Sequence, residues 1–217
     1  MKSAKEYRMI AHNEFTKNSN RLILIIFIYF LISGGVGGTF SVISRLSNSN
    51  IVVSFSSSAS ILITAPLAYG LIRVVSVNHR GETPELEYLF SGFKEYGKTL
   101  GVTLLSGLFI FLWSLLLFIP GIIASLKYSM AMYILHDHPE LSCKECIDES
   151  KKLMNGHKGK LFCLQLSYIG WILLIPLTLG ILSLWVVPKM QIAVYNFYCD
   201  LTSKDTNQNI EELTTEE

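Results

Sequence analysis

A chain of 217 residues in which half are hydrophobic and only 16% are charged has too few polar side chains to cover a water-soluble domain. Its mean hydropathy is +0.41. A net charge of only +1, with no nucleic-acid recognition motif, argues against a nucleic-acid-binding protein. The composition therefore predicts an integral membrane protein.

Six apolar segments approach the roughly 20 residues that a helix needs to cross about 30 Å of hydrocarbon. Short gaps within each successive pair predict three helical hairpins, and Pro120 and Gly121 are expected to divide the third span from the fourth. The alternative is one long helix, kinked at the proline. The predicted fold class is an all-α polytopic membrane protein with about six transmembrane helices. The approximate limits of the spans are 21–43, 51–78, 99–119, 121–137, 161–181 and 184–201.

The basic residues predict the orientation. If both termini are cytoplasmic, fourteen of the 18 Lys and Arg residues lie on the cytoplasmic side. Only Arg45 lies in an external loop, and the remaining three lie within spans. Such a bias obeys the positive-inside rule. The first apolar run exceeds the length of a signal-peptide core and no small-residue cleavage site follows it, so we expect an uncleaved anchor.

Two parts of the chain align without a gap. Residues 3–22 read SAKEYRMIAHNEFTKNSNRL, and residues 142–161 read SCKECIDESKKLMNGHKGKL. A looser copy, PELEYLFSGFKEYGKTL, covers 84–100. Each copy is predicted to be a short amphipathic helix at the membrane interface that precedes a hairpin.

This pattern predicts a single integral membrane domain, 1–203, with a pseudo-three-fold repeat. The polar, acidic segment 204–217 is expected to be a disordered tail. The predicted repeat units cover approximately 1–78, 79–138 and 139–203.

One cation falls in the second helix of each predicted hairpin. Arg73 and Lys127 each follow a proline by seven residues, and Lys189 directly follows one. Helix rise places Lys127 and Lys189 near mid-bilayer, where a charge costs about 2.5 to 3.5 kcal/mol, whereas Arg73 can reach the interface more easily. No Asp or Glu occurs at 22–78, 99–136 or 161–199, so no carboxylate lies deep enough within a span to neutralise these three cations.

Three roles are open for Arg73, Lys127 and Lys189. Contacts with backbone carbonyls, polar side chains or water would hold the hairpins together. An anionic lipid headgroup or another anion could bind to them, or they could line a conduction pathway. The polar side chains that could assist them are Tyr128, Gln165, Gln191 and Asn196.

A second group of residues could bind a metal ion. His136, His138, Cys143 and Cys146 form the pattern H-x-H-x4-C-x2-C at the end of the fourth predicted span. These are zinc or copper ligands, but the spacing matches no standard zinc module. We therefore expect no metal at this position.

The sequence contains no arrangement typical of an enzyme. No nucleophile-and-base motif and no H-E-x-x-H pair occurs, and the lack of carboxylates within the spans removes the usual proton relay of pumps. We expect a protein without enzymatic activity and without a cofactor. Two basic arms predict attraction to anionic lipid at the inner leaflet: Lys2, Lys5, Arg8 and Lys17 in the first, and Lys144, Lys151, Lys152, Lys158 and Lys160 in the second.

Three segments resemble the bacterial integral-membrane family known as domain of unknown function 975. They are LWSLLLFIPGIIASLKYSMAMYIL (112–135), ESKKLMNGHKGKLFCLQLSYIGW (149–171) and LTLGILSLWVVPKMQIAVYNFYCDL (177–201). The resemblance implies a multi-pass plasma-membrane protein and supplies no activity, ligand or site. Where this chain has Cys143 and Cys146, the family pattern has small residues.

Two hypotheses for function follow. The first is a structural, regulatory or protective membrane protein that contacts anionic lipid through its intramembrane cations. The alternative is a transporter or lipid-translocating protein for an anionic solute or lipid. A homo-oligomer or another membrane protein is a possible partner under either hypothesis.

Overall fold

The computed structural model describes the backbone of residues 2–47, 50–116, 118–178 and 180–215, and the side chains within 2–35, 61–115, 120–178 and 180–203. This part of the chain consists of helices and short connections and contains no strand, so the predicted all-α class is confirmed. The helices, in chain order, are α1 (Ala4–Lys17), α2 (Ser19–Ser47), α3 (Asn50–His79), a 3-10 helix (Leu86–Phe93), α4 (Tyr96–Leu116), α5 (Phe118–Tyr128), α6 (Ala131–Asp137), α7 (Cys143–Leu153), α8 (Lys158–Leu174), a short 3-10 helix (Pro176–Thr178) and α9 (Ser183–Thr215).

Among the described residues, three helical segments are long and apolar enough to cross a membrane: Ile61–His79, Tyr96–Leu115 and Lys158–Thr178. A fourth candidate is the pair formed by α1 and the start of α2, which meet at 96°. Parts of the first two predicted spans lie outside the residues whose side chains are described. The fourth and sixth predicted spans are not among these candidates, because the fourth is divided into two short helices and because polar residues lower the hydropathy of α9. Helix α9 also takes in most of the segment predicted to be a disordered tail.

The fourth predicted span, 121–137, is two helices separated by a short turn that starts at Ser129. The last carbonyls of a helix have no partner within it, so those of α5 need other donors. The Ser129 hydroxyl donates to the Leu126 carbonyl at 2.9 Å, and the Ser150 hydroxyl of α7 donates to the Lys127 carbonyl at 2.7 Å. The break is therefore stabilised partly by a residue from another helix.

Pro120 and Gly121 lie in the first turn of α5 rather than between two helices. Proline is tolerated there because the first N–H groups of a helix have no acceptor within it. A Cβ on Gly121 would lie 2.2 Å from the Ser114 hydroxyl, and the Phe109 and Tyr128 rings are 5.8 Å apart. These two contacts show that α4 and α5 pack as an antiparallel hairpin, so the alternative of one kinked helix is wrong.

Helices α1 and α7 begin in the same way. The Ser3 hydroxyl accepts from the Glu6 N–H, and the Glu6 carboxylate accepts from the Ser3 N–H. Ser142 and Glu145 make the same reciprocal pair at the start of α7. The backbone bond from Ser142, together with its hydroxyl bond, holds the pKa of Glu145 below its usual value. This capping box fixes where each helix starts. The corresponding middle segment is a 3-10 helix without a side-chain cap.

Each helix that precedes a hairpin packs on the second helix of a different hairpin. Helix α1 lies along α9, where the Lys2 ammonium and the Tyr7 hydroxyl both bind Asp200 at 2.9 Å. The 3-10 helix lies along α3, because a Cβ on Gly70 would be 1.8 Å from the Leu89 carbonyl oxygen. Helix α7 packs on α4, α5 and α6.

The apolar connection between α8 and α9 satisfies its own polar groups. The Thr178 hydroxyl accepts from the Leu182 N–H and donates to the Ile175 carbonyl, and Gly180 takes the positive φ of 87° that the turn requires. The outward side chain of Leu177 is 80% exposed. Because hydrocarbon offers no hydrogen-bond partners, a turn that is bonded internally can lie in lipid.

Three helices meet at the centre of the core through side-chain contacts that join each pair. The Tyr195 hydroxyl of α9 donates to the Ser76 hydroxyl of α3 at 2.9 Å. The Tyr198 hydroxyl of α9 donates to Asp137 of α6 at 2.8 Å. Helices α3 and α6 are joined by Tyr69 and His136, whose rings make an edge-to-face contact with centroids 5.7 Å apart. The three helices α3, α6 and α9 thus form a central triangle.

Candidate functional site

A groove of about 220 Å³ lies where α1, α8 and α9 meet, and we call it the Lys189 groove. Its cationic and titratable residues are Arg8, His12 and Lys189, and the rest of its wall is mainly apolar and aromatic. None of the described residues that line it is a carboxylate. The lining residues are Arg8, His12, Tyr168, Trp171, Leu182, Trp185, Val186 and Lys189.

Contacts within the Lys189 groove leave most of the cationic donors unused. The Lys189 ammonium lies 5.1 Å from the centroid of the Phe15 ring, a cation–π contact. The Arg8 guanidinium donates one bond to the Ser167 carbonyl at 3.2 Å. Tyr168 donates to the Lys189 carbonyl at 3.4 Å. Since a guanidinium has five N–H donors, Arg8 keeps several for a ligand.

A second, larger space of about 630 Å³ lies where α3, α6 and α9 meet, and we call it the three-helix cleft. Its walls are polar, in contrast to the Lys189 groove. They combine two arginines, a histidine and two carboxylates with hydroxyl groups. The lining residues are Arg73, Ser76, Val77, Arg80, Glu82, Tyr88, His136, Asp137 and Tyr195.

A sequence model of one protein family matches residues 1–120 and 115–205, which together cover nearly the whole chain. The chain belongs to the DUF975 family. The family is described as proteins of unknown function, so the resemblance seen in the sequence is confirmed and carries no activity with it. Among curated proteins and solved structures, none matches the chain.

In this DUF975 protein the three predicted anion-binding cations lie in three different surroundings. Arg73 lines the three-helix cleft and Lys189 lines the groove that bears its name. The Lys127 ammonium lies 5.8 Å from the centroid of the Trp113 ring. The structure therefore places one cation against an indole ring and the other two in separate cavities, and does not gather them into a single cluster.

The four residues considered as metal ligands do not come together in this DUF975 chain. His138 lies 2.9 Å from the Glu140 carboxylate, and the Cys143 thiol donates to a backbone carbonyl. Cys146 is fully buried, and burial raises the pKa of its thiol to about 11. Within the described residues, no three His, Cys, Asp or Glu side chains are placed to hold a metal ion.

Sequence reasoning missed most of the residues that complete the two sites. Arg8 and His12 are four residues apart and therefore share a face of α1, which was treated only as part of a basic arm. Trp171 and Trp185 flank the apolar turn of the last hairpin, a position typical of membrane-interface aromatics. The missed signal was the combination of these tryptophans with nearby cations.

Proposed function

We propose that this DUF975 protein is a non-enzymatic membrane protein that binds an anionic phospholipid in the Lys189 groove. The lining of the groove combines cationic with aromatic and apolar side chains, which suits the charged and apolar parts of a lipid. Lipid phosphate would meet Arg8 and Lys189, and the start of the acyl chains would lie against Trp171 and Trp185. Each cation beside an anionic lipid surface contributes about 1 kcal/mol of attraction.

The observation that carries the proposal is the presence of Lys189 and Arg8 in one cavity whose described lining contains no carboxylate. Two positive charges in the same cavity repel each other, and an anion between them relieves that repulsion. Lysine and arginine stems can also lie along apolar surface while their charged ends reach polar groups. A neutral ligand would use the apolar wall and leave the two charges uncompensated.

The proposed arrangement in the membrane has six spans in three repeated units, with both termini in the cytoplasm of a bacterium. The shared capping boxes of α1 and α7 support the repeat. So does the packing of each leading helix on the second helix of another hairpin, which closes the three units in a ring. The role of such a protein would be structural, regulatory or protective within the plasma membrane.

Native mass spectrometry of protein released from phosphatidylglycerol nanodiscs tests the lipid site. We expect the wild type to keep a phosphatidylglycerol molecule that an Arg8→Gln, Lys189→Gln double variant loses. Phosphatidylcholine nanodiscs should give no retained lipid with either protein. At about 1 kcal/mol per cation, the double variant should bind roughly thirtyfold more weakly.

The matched control is a Lys94→Gln, Lys144→Gln double variant, which loses the same charge at exposed positions outside the groove. It should keep the phosphatidylglycerol molecule. Equal adducts on the wild type and both variants, with all three folded by circular dichroism, would contradict the proposal. Lys189 would then serve only to hold α1 against α9.

A further inference from the structure

The three-helix cleft contains donors that the fold does not use. Among the described residues, neither the Arg73 nor the Arg80 guanidinium has a hydrogen bond or an ion pair. The Nδ1 atom of His136 is buried and has no partner either. Both arginine side chains are exposed, so their N–H donors are open to a ligand that enters the cleft.

The helical geometry places the two arginines on one side of the cleft. Arg73 lies on α3, and Arg80, seven residues later, directly follows the end of that helix at His79; its N–H still donates to the Ser76 carbonyl, and both residues line the cleft. Their backbones are therefore about 10.5 Å apart along one face of the helix, close enough for both long side chains to reach one ligand. A guanidinium fork matches phosphate oxygens with two parallel hydrogen bonds.

Two carboxylates that also line the cleft narrow the choice of ligand. Glu82 and Asp137 also line it, and Asp137 already accepts a bond from Tyr198. A bare phosphate would be repelled by these carboxylates, whereas hydroxyl or ammonium groups on the ligand would donate to them. The cleft, at about 630 Å³, also has more room than one phosphate group needs.

We infer that the three-helix cleft binds a phosphate ester that also carries hydroxyl or ammonium groups, either free or as the headgroup of a lipid. This site is separate from the Lys189 groove and shares no lining residue with it. Arg73 and Arg80 bind the phosphate, and Glu82 and Asp137 accept hydrogen bonds from the other end of the ligand. Because α3, α6 and α9 all contribute, the ligand contacts every helix of the central triangle.

Isothermal titration of sn-glycerol 3-phosphate into the detergent-solubilised full chain tests a soluble ligand. We expect binding to the wild type and at least tenfold weaker binding to an Arg73→Gln, Arg80→Gln double variant, since each lost charge-assisted hydrogen bond costs about tenfold or more. The control is Lys94→Gln with Lys144→Gln, which removes the same charge from exposed positions and should bind as the wild type does.

A lipid headgroup is distinguished by native mass spectrometry from phosphatidylglycerol nanodiscs. If the headgroup is the ligand, sn-glycerol 3-phosphate binds weakly or not at all, and the arginine double variant keeps one phosphatidylglycerol fewer than both the wild type and the control. If the glutamine variant does not fold, an Arg73→Lys, Arg80→Lys double variant replaces it. This variant keeps both positive charges but loses the paired N–H donors of the guanidinium groups, so it should bind the ligand more weakly than the wild type does. Indistinguishable wild-type and folded arginine-variant results with both probes overturn the inference.

Discussion

Replacement of Gly70 by alanine should force α3 away from the 3-10 helix that packs on it. A Cβ at this position would lie 1.8 Å from the Leu89 carbonyl oxygen and 2.5 Å from its carbonyl carbon. Ordinary contact needs about 3.4 Å, so the two backbones must separate by roughly 1.5 Å. Leu89 is fully buried and lies in a short helix, so its backbone cannot rotate away as a flexible side chain would.

Two opposing effects set the expected magnitude. Overpacking of a well-packed core costs about 1 to 3 kcal/mol, and alanine returns up to about 1 kcal/mol of helix propensity. We expect a net loss of about 2 kcal/mol because the clash involves backbone on both sides. For a chain of this size, that loss lowers the midpoint of thermal unfolding by about 4 to 8 °C.

The assay is thermal unfolding in detergent, followed by tryptophan fluorescence at a fixed scan rate. Gly107→Ala on α4 is the matched control, because no heavy atom lies within 4 Å of the added methyl group. It should leave the midpoint unchanged or raise it. The reasoning is refuted if Gly70→Ala unfolds at the same temperature as this control.

The second close approach in the same interface provides an internal check. A Cβ on Gly92 would lie 2.0 Å from the Pro66 carbonyl oxygen, so Gly92→Ala should destabilise the protein to a similar extent. Once one methyl group has moved α3 away from the 3-10 helix, the second methyl group clashes less with the opposing backbone. The double variant should therefore lose less stability than the two single losses added together.

Three further predictions concern single groups. Thr178→Val leaves the Leu182 N–H without its hydroxyl acceptor and should lower the free energy of unfolding by about 1 to 3 kcal/mol, measured by denaturant titration. Tyr198→Phe removes the bond to the α6 carboxylate and should cost about 0.5 to 1.5 kcal/mol in the same assay; no loss would show that this bond does not hold α9 to α6. With the other cysteines replaced by serine, maleimide should label Cys146 far more slowly than a Lys144→Cys control. The Cys146 rate should rise about tenfold per pH unit towards its pKa of about 11; a rate equal to that of the control at pH 8 would contradict its burial.

Local features of the chain were predictable because they depend on neighbouring residues. The apolar composition indicated a membrane protein, and apolar runs of about 20 residues indicated helices as the elements that cross it. The pattern S-x-K-E before α1 and α7 contains both partners of a capping box within four residues. The hairpin of α4 and α5 was also predictable, since proline and glycine next to each other in a long apolar run favour a break in the helix, although both residues lie in the first turn of α5.

The candidate sites were only partly predictable. Arg73 and Lys189 could be singled out because a charge in an apolar run is costly wherever the run folds. Their separation into two cavities, and the stacking of Lys127 on an indole ring, depend on which helices become neighbours. Hydropathy and spacing contain no information about that choice.

Tertiary structure alone decided the arrangement at the centre of the molecule. Tyr195 and Ser76 are 119 residues apart in sequence yet share a hydrogen bond, and the break between α5 and α6 is stabilised by Ser150, 23 residues from its acceptor. Such bonds form only after whole helices have packed, because their energies are small compared with the apolar burial that brings the helices together. The sequence by itself indicated that the chain lies in a membrane and where each capped helix starts. The packing of the helices determined which charged groups share a cavity.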